Sequence, residues 1–104
     1  MEIPLISPRE LDRYVDRYPQ VWIIDVRTEE EYQSFHIKHA VNMPYEPGKV
    51  WKLPWKKEIV VYCERGSTSM KAVRQMLRQG YQAVSVAGGI VEYRGRNLVF
   101  SKQS

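Results

Sequence analysis

The sequence predicts an α/β domain with a mostly parallel sheet and helices on both of its faces. Three observations predict it. Short apolar runs rich in β-branched residues, Val21-Trp22-Ile23-Ile24-Asp25-Val26 and Glu58-Ile59-Val60-Val61-Tyr62, have the length and composition of strands, the first buried on both faces. Segments with helical periodicity alternate with them, and capping patterns mark where those helices begin.

Taken in order, Ser7-Pro8-Arg9-Glu10 combines an N-cap serine, proline at the first helical position and glutamate at the third, a capping box. A helix is predicted from Pro8 to about Arg17, with Leu11, Tyr14, Val15 and Tyr18 facing the core and Pro19 ending it. After the first buried strand, Thr28-Glu29-Glu30-Glu31 repeats the capping box and opens a short helix to about Phe35. Ala40-Val41-Asn42-Met43 reads as a strand closed by Pro44. Residues 45–57 hold Pro47, Gly48 and Pro54 among Val50, Trp51, Leu53 and Trp55, an irregular connection pinned by aromatics.

Glu58 to Tyr62 is the clearest strand, and Cys63 stands at its carboxyl end. From Thr68 the pattern turns helical, with Met70, Val73, Met76 and Leu77 on one face and Lys71, Arg74, Gln75 and Arg78 on the other. Gly80 supplies the stop. Ala83-Val84-Ser85-Val86 is a last short strand, and Gly88-Gly89 leads into a helical turn holding Val91 and Tyr93. The tail after about residue 95 receives no assignment.

Composition narrows the classes. A length of 104 residues with 43% hydrophobic content suits one domain spanning residues 1–104 around one core. A mean hydropathy of −0.49 accompanies the absence of any apolar run near the ~20 residues that span a bilayer, so no membrane partner is expected. The N-terminus lacks the basic start and long apolar stretch of a secretory signal, which makes a cytoplasmic location the expectation. One cysteine excludes an intramolecular disulfide and deprives a Cys-based zinc site of its ligands. A net charge of +4 favours small anions and acidic partners. Because the basic residues are scattered without a zinc-finger or RNA-recognition pattern, no nucleic acid is expected.

In parallel α/β sheets ligands sit beyond the carboxyl ends of the strands, where Cys63 stands. An isolated cysteine is ordinarily a small buried apolar residue. Here, however, Cys63-Glu64-Arg65-Gly66-Ser67-Thr68-Ser69 crowds polar side chains and a permissive glycine around it. Loop N–H groups and the following helix dipole converge on such a position, a nest that binds anions and favours the nucleophilic thiolate. Arg65 offers a cation to an anionic substrate, and Gly66 is expected at positive φ. One hydroxyl among Ser67, Thr68 and Ser69 is expected to cap the helix. Glu64 opposes a neighbouring anion unless it faces solvent or pairs with Arg65.

The order of these pieces resembles the rhodanese family over nearly the whole chain. Four stretches carry the likeness. Ile24-Asp25-Val26-Arg27 is followed by Glu31-Tyr32 and by His36-Ile37…Ala40-Val41-Asn42-Met43-Pro44; then come Val60-Val61-Tyr62-Cys63 with its loop, Gly80-Tyr81, and Val86-Ala87-Gly88-Gly89-Ile90. The resemblance implies a five-stranded parallel sheet flanked by helices. It also implies an active-site loop with Cys63 catalytic and Glu64, Arg65, Gly66, Ser67 and Thr68 as the substrate cradle. The implied chemistry moves a sulfane sulfur from a small anionic donor such as thiosulfate, through a Cys63 persulfide, to a thiol or cyanide acceptor, a protein thiol included. No metal and no organic cofactor is implied.

Departures are visible. Phe35 and His39 replace two glycines of the family's Gly-His-Ile-x-Gly-Ala, Thr68 replaces a common arginine at the loop's sixth position, and Tyr93 replaces a common tryptophan. Asp25, Arg27 and His36 read as structural braces. A cysteine phosphatase, which needs Cys-x5-Arg, is disfavoured because Ser69 stands where its arginine belongs. A partner-dependent sulfur relay or binding module of the same fold stays open beside the enzyme.

Overall fold

Two five-residue apolar strands, Val21–Asp25 (β2) and Glu58–Tyr62 (β5), pair in parallel at the centre of the sheet. The computed structural model describes residues 2–101. Elements before and between the two strands are Leu5–Ile6 (β1), Pro8–Asp16 (α1), Glu29–Ser34 (α2), Phe35–Ile37 (β3) and Val41–Asn42 (β4). Ser67–Arg78 (α3), Ala83–Val86 (β6), a 3-10 turn at Ile90–Glu92 and Leu98–Phe100 (β7) follow. The five-stranded sheet runs in the order β1-β6-β5-β2-β4, every pair parallel.

Side chains alternate across this sheet, which is why it needs cover on both sides. Val21, Ile23, Val60 and Tyr62 pack with Leu11 and Val15 of α1. On the other face Ile24, Ile59 and Val61 pack with Ala72, Val73 and Met76 of α3, joined by Trp51 and Leu53 from the irregular connection. That connection is pinned as its aromatics suggest: the Trp51 indole donates to Gln75 at 2.9 Å, and the Tyr81 hydroxyl donates to the Trp51 carbonyl at 2.8 Å.

Several expectations need correction. Tyr18, assigned to the core, lies two residues past the end of α1 at 49% exposure and stacks on His39 with ring centroids 3.9 Å apart. Phe35 and His36 form a strand rather than the end of a helix, pairing antiparallel with Leu98–Phe100 in the tail left unassigned. His36 is still a brace: its Nδ1 donates to the Tyr32 carbonyl at 2.9 Å, and its ring stacks on Tyr32.

The two replaced glycines find different solutions. Phe35 has φ −167°, extended backbone open to any residue, and its ring lies 5.1 Å from the Arg27 guanidinium carbon. His39 keeps the left-handed conformation at φ 71°, where histidine is tolerated better than most side chains.

The C-terminal segment is tied to α1 by Tyr93. Its hydroxyl donates to the Asp12 carboxylate and accepts from the Asn97 N–H at 2.7 Å. Burial, then the Asp12 contact, pushes the Tyr93 pKa up to about 12. The proton is retained in the folded chain and lost in the unfolded one between the usual pKa of 10 and that value. Stability is therefore complete below pH 10 and falls as pH rises, by about 1.4 kcal/mol per unit for this group. Urea titrations across that range should show the fall, and Tyr93→Phe should flatten it; an unchanged slope would assign the alkaline loss to other groups.

Candidate active site

Parallel register places two loops side by side. Asp25 pairs with Tyr62, so the residues after each strand, Val26-Arg27 and Cys63-Glu64, emerge together, and the Val26 N–H donates to the Tyr62 carbonyl at 3.0 Å. The chain leaves β2 toward β4 on one side and leaves β5 toward β6 on the other. Cys63 thus stands at the point where the sheet's winding reverses, the crevice where open α/β sheets bind ligands.

Cys63 is 4% exposed, and its Sγ accepts from the N–H groups of Gly66 at 3.1 Å and Ser69 at 3.2 Å. No hydroxyl caps α3: its N-cap is Gly66, at φ 104°, with no side-chain hydrogen bond. Capping falls instead to the cysteine sulfur, which accepts from the N–H at the third helical position as a serine cap would. Two backbone N–H groups thus converge on the sulfur from one side of the loop.

Gly88 and Gly89 hold the other side of the loop. A Cβ at Gly66 would meet the Gly88 nitrogen at 3.0 Å, and one at Gly89 would lie 2.3 Å from the Glu64 carbonyl oxygen. The close approach lets Ile90 N–H donate to the Cys63 carbonyl at 2.9 Å and Val91 N–H to the Glu64 carbonyl at 3.2 Å. With its carbonyls turned outward to the 3-10 turn, the loop keeps N–H groups for the sulfur.

Two residues outside the expected cradle lie beneath Cys63. Ser69 Oγ is 3.4 Å from Sγ and 2.7 Å from Ser85 Oγ, and both serines are fully buried. Their signal in the sequence was a serine on a core-facing position of an otherwise apolar strand and another in the first turn of a helix.

The cradle residues divide. Gly66 touches the sulfur, while Glu64 and Thr68 line a cleft of about 330 Å3 that opens onto Cys63. Ser67 and Arg65 are exposed and outside that lining. Glu64 pairs not with Arg65 but with Arg27, at 3.2 Å. Arg27, 4% exposed, also holds Asp25 at 2.9 Å and donates to the Phe35 carbonyl, the bracing role expected of both residues. Burial works against the guanidinium's charge, but Asp25, with help from Glu64, outweighs it and raises the Arg27 pKa. A larger hollow of about 750 Å3 between Ser7 and Arg94 does not include Cys63. Among the described residues no cluster of His, Cys, Asp and Glu has the makings of a metal site, and no helix is long and apolar enough to cross a membrane.

The rhodanese-like domain family matches residues 7–96. The protein belongs to that family. Among rhodanese-like relatives, the putative sulfurtransferase YtwF of Bacillus subtilis is 34% identical, the match covering 91% of this chain and 94% of the relative. A sulfurtransferase of Allochromatium vinosum is 28% identical over 89% of this chain and 90% of its own length. A crystal structure of a rhodanese-related protein from Thermoplasma volcanium superimposes with a TM-score of 0.81 at 28% identity, covering 92% of this chain and 97% of that one.

Proposed function

We propose that this rhodanese-like protein is a sulfurtransferase that carries a sulfane sulfur on Cys63 as a persulfide. The observation that carries the reading is the pair of backbone N–H groups, from Gly66 and Ser69, directed at a buried Sγ at the switch point of the sheet. Relatives bearing the name sulfurtransferase along nearly their whole length support it.

In the first half-reaction the Cys63 thiolate attacks the outer sulfur of a donor such as thiosulfate. The donor's S–S bond breaks and sulfite leaves with the electron pair. The loop N–H groups stabilise the anionic sulfur. In the second half a thiol or cyanide removes the outer sulfur and Cys63 thiolate is restored. Intact mass after incubation with thiosulfate tests this directly: the protein should gain one sulfur atom, reversibly by reductant, and an unchanged mass with both thiosulfate and a persulfide donor would overturn the reading.

A partner-dependent relay is a second reading with an observation behind it. Glu31 and Glu64 line the cleft, and the only cation lining it among the described residues, Arg27, is already held by two carboxylates. A small dianion finds little free positive charge there, which favours sulfur exchange with a partner thiol over rapid thiosulfate turnover.

Arg65 is the loop cation left for an anionic donor. Its exposure shrinks the effect that a buried contact would have, to about 0.2–1 kcal/mol. Arg65→Ala should therefore raise the KM for thiosulfate by up to about fivefold with little change in kcat, and spare a neutral persulfide donor. Equal losses for both donors would show that Arg65 shapes the loop.

A further inference from the structure

A second groove, of about 430 Å3, lies along α3, lined by Tyr45, Lys49, Val50, Lys71, Arg74 and Arg78 among others. Tyr45 also lines the Cys63 cleft, so the two hollows adjoin at that side chain. Lys71, Arg74 and Arg78 recur at the spacing that puts side chains on one face of a helix, a basic stripe roughly 10 Å long. None of these three takes part in an ion pair among the described residues, and Lys49 pairs only with Glu46, at 3.6 Å.

The floor of the groove is already satisfied. Gln75 donates to the Glu46 carbonyl and Gln79 to the Lys49 carbonyl, at 2.9 and 2.8 Å, while their amide oxygens accept from Trp51. These bonds hold the connection against α3 and preform the channel. What the groove presents to a ligand is positive charge, with Val50, 72% exposed, as an apolar contact.

We infer that this groove docks an acidic polypeptide segment bearing a thiol, which exchanges sulfur with Cys63. The inference rests on the persulfide reading above. Charge complementarity selects an acidic partner. Chemistry selects a polypeptide: among macromolecules, a thiolate able to take the outer sulfur is supplied by cysteine and not by the standard nucleotides. Burial of Cys63 further requires that the nucleophile arrive on a slender, flexible arm. In the transfer, the partner's thiolate forms a bond to the outer sulfur. The bond from that sulfur to Sγ breaks, and Cys63 leaves as thiolate with the electron pair, so no external oxidant or reductant is consumed.

A short glutamate-rich peptide ending in cysteine, compared with its glutamine counterpart, tests the surface. Versions ending in serine report docking alone, by fluorescence anisotropy with the unloaded full chain. At low salt the glutamate peptide should bind roughly tenfold more tightly than the glutamine one, the combined size of about three exposed ion pairs, and the difference should vanish near 1 M salt. The double charge reversal Lys71→Glu with Arg74→Glu should erase the preference while leaving sulfur transfer from thiosulfate to cyanide unchanged. The cysteine peptide should gain one sulfur atom from the loaded protein, faster than its glutamine counterpart. Equal binding of the two peptides, a preference that survives the reversal, or tighter binding of a single-stranded oligonucleotide that the same reversal abolishes would each overturn the proposal. Docking as expected without any sulfur on Cys63, by mass, would instead bring down the persulfide reading and with it the exchange step.

Discussion

Replacing Cys63 with alanine is expected to reduce sulfur transfer to the uncatalysed background, for cyanide and thiol acceptors alike. No other side chain in the cleft can form a persulfide, because Cys63 is the only cysteine. The fold should survive at a modest cost. Cys63 is packed among Val61, Ala72 and Ala83, and its sulfur is the acceptor for two N–H groups at the start of α3. Removing it leaves those donors without their partner, about 1–2 kcal/mol. Cys63→Ser keeps an acceptor and should recover part of that loss with no recovery of transfer. Turnover, intact mass and urea unfolding measured on both variants separate the two effects. Retained turnover in either would remove Cys63 as the carrier.

Asp25→Ala is expected to be the most destabilising single substitution near the site. Asp25 is fully buried, accepts from the Arg27 backbone N–H at 2.8 Å, and binds the guanidinium through both Nε and Nη2. Without it Arg27 is left buried, with only the half-exposed Glu64 as a counter-charge. Stranding one member of a buried pair costs about 3–5 kcal/mol. In a domain of this length that is a fall in Tm of more than about 12 °C. Replacing both members, Asp25→Leu with Arg27→Met, should cost less than the single change, because the penalty lies in the stranded charge rather than in the missing pair. If the single variant loses under about 1 kcal/mol, water reaches Arg27 and the brace is weaker than its geometry suggests.

Much of the architecture was readable because its signals are local. The starts of α1 and α2 follow from Ser7 and Thr28, whose capping boxes both form, with Ser7 Oγ accepting from Glu10 N–H and Thr28 Oγ1 from Glu31 N–H. The central strands follow from apolar runs that only a doubly covered sheet can bury. Cys63 stood out in the sequence from its place between such a strand and a glycine-bearing loop, and the structure puts it there.

The rest depended on contacts between distant segments. Leu5–Ile6 is too short to declare itself and becomes a strand only by pairing with Ser85 and Val86. Phe35–Ile37 looks like the end of a helix until Leu98–Phe100 comes back to pair with it. Tyr18 has the spacing of a core residue, but α1 ends before it and its ring finds His39 at the surface.

In the site the division is the same. The sequence by itself determined the place of Cys63 at the strand end, the glycine at positive φ and the order of loop and helix, since these depend on residues adjacent along the chain. Only the tertiary structure decided that the sulfur, not a hydroxyl, caps α3, that Glu64 answers to Arg27 rather than Arg65, and that Ser69 and Ser85 meet beneath Cys63. Each of those outcomes is a choice among several chemically acceptable hydrogen-bond partners, and parallel strand register, which sets one loop beside another, makes the choice.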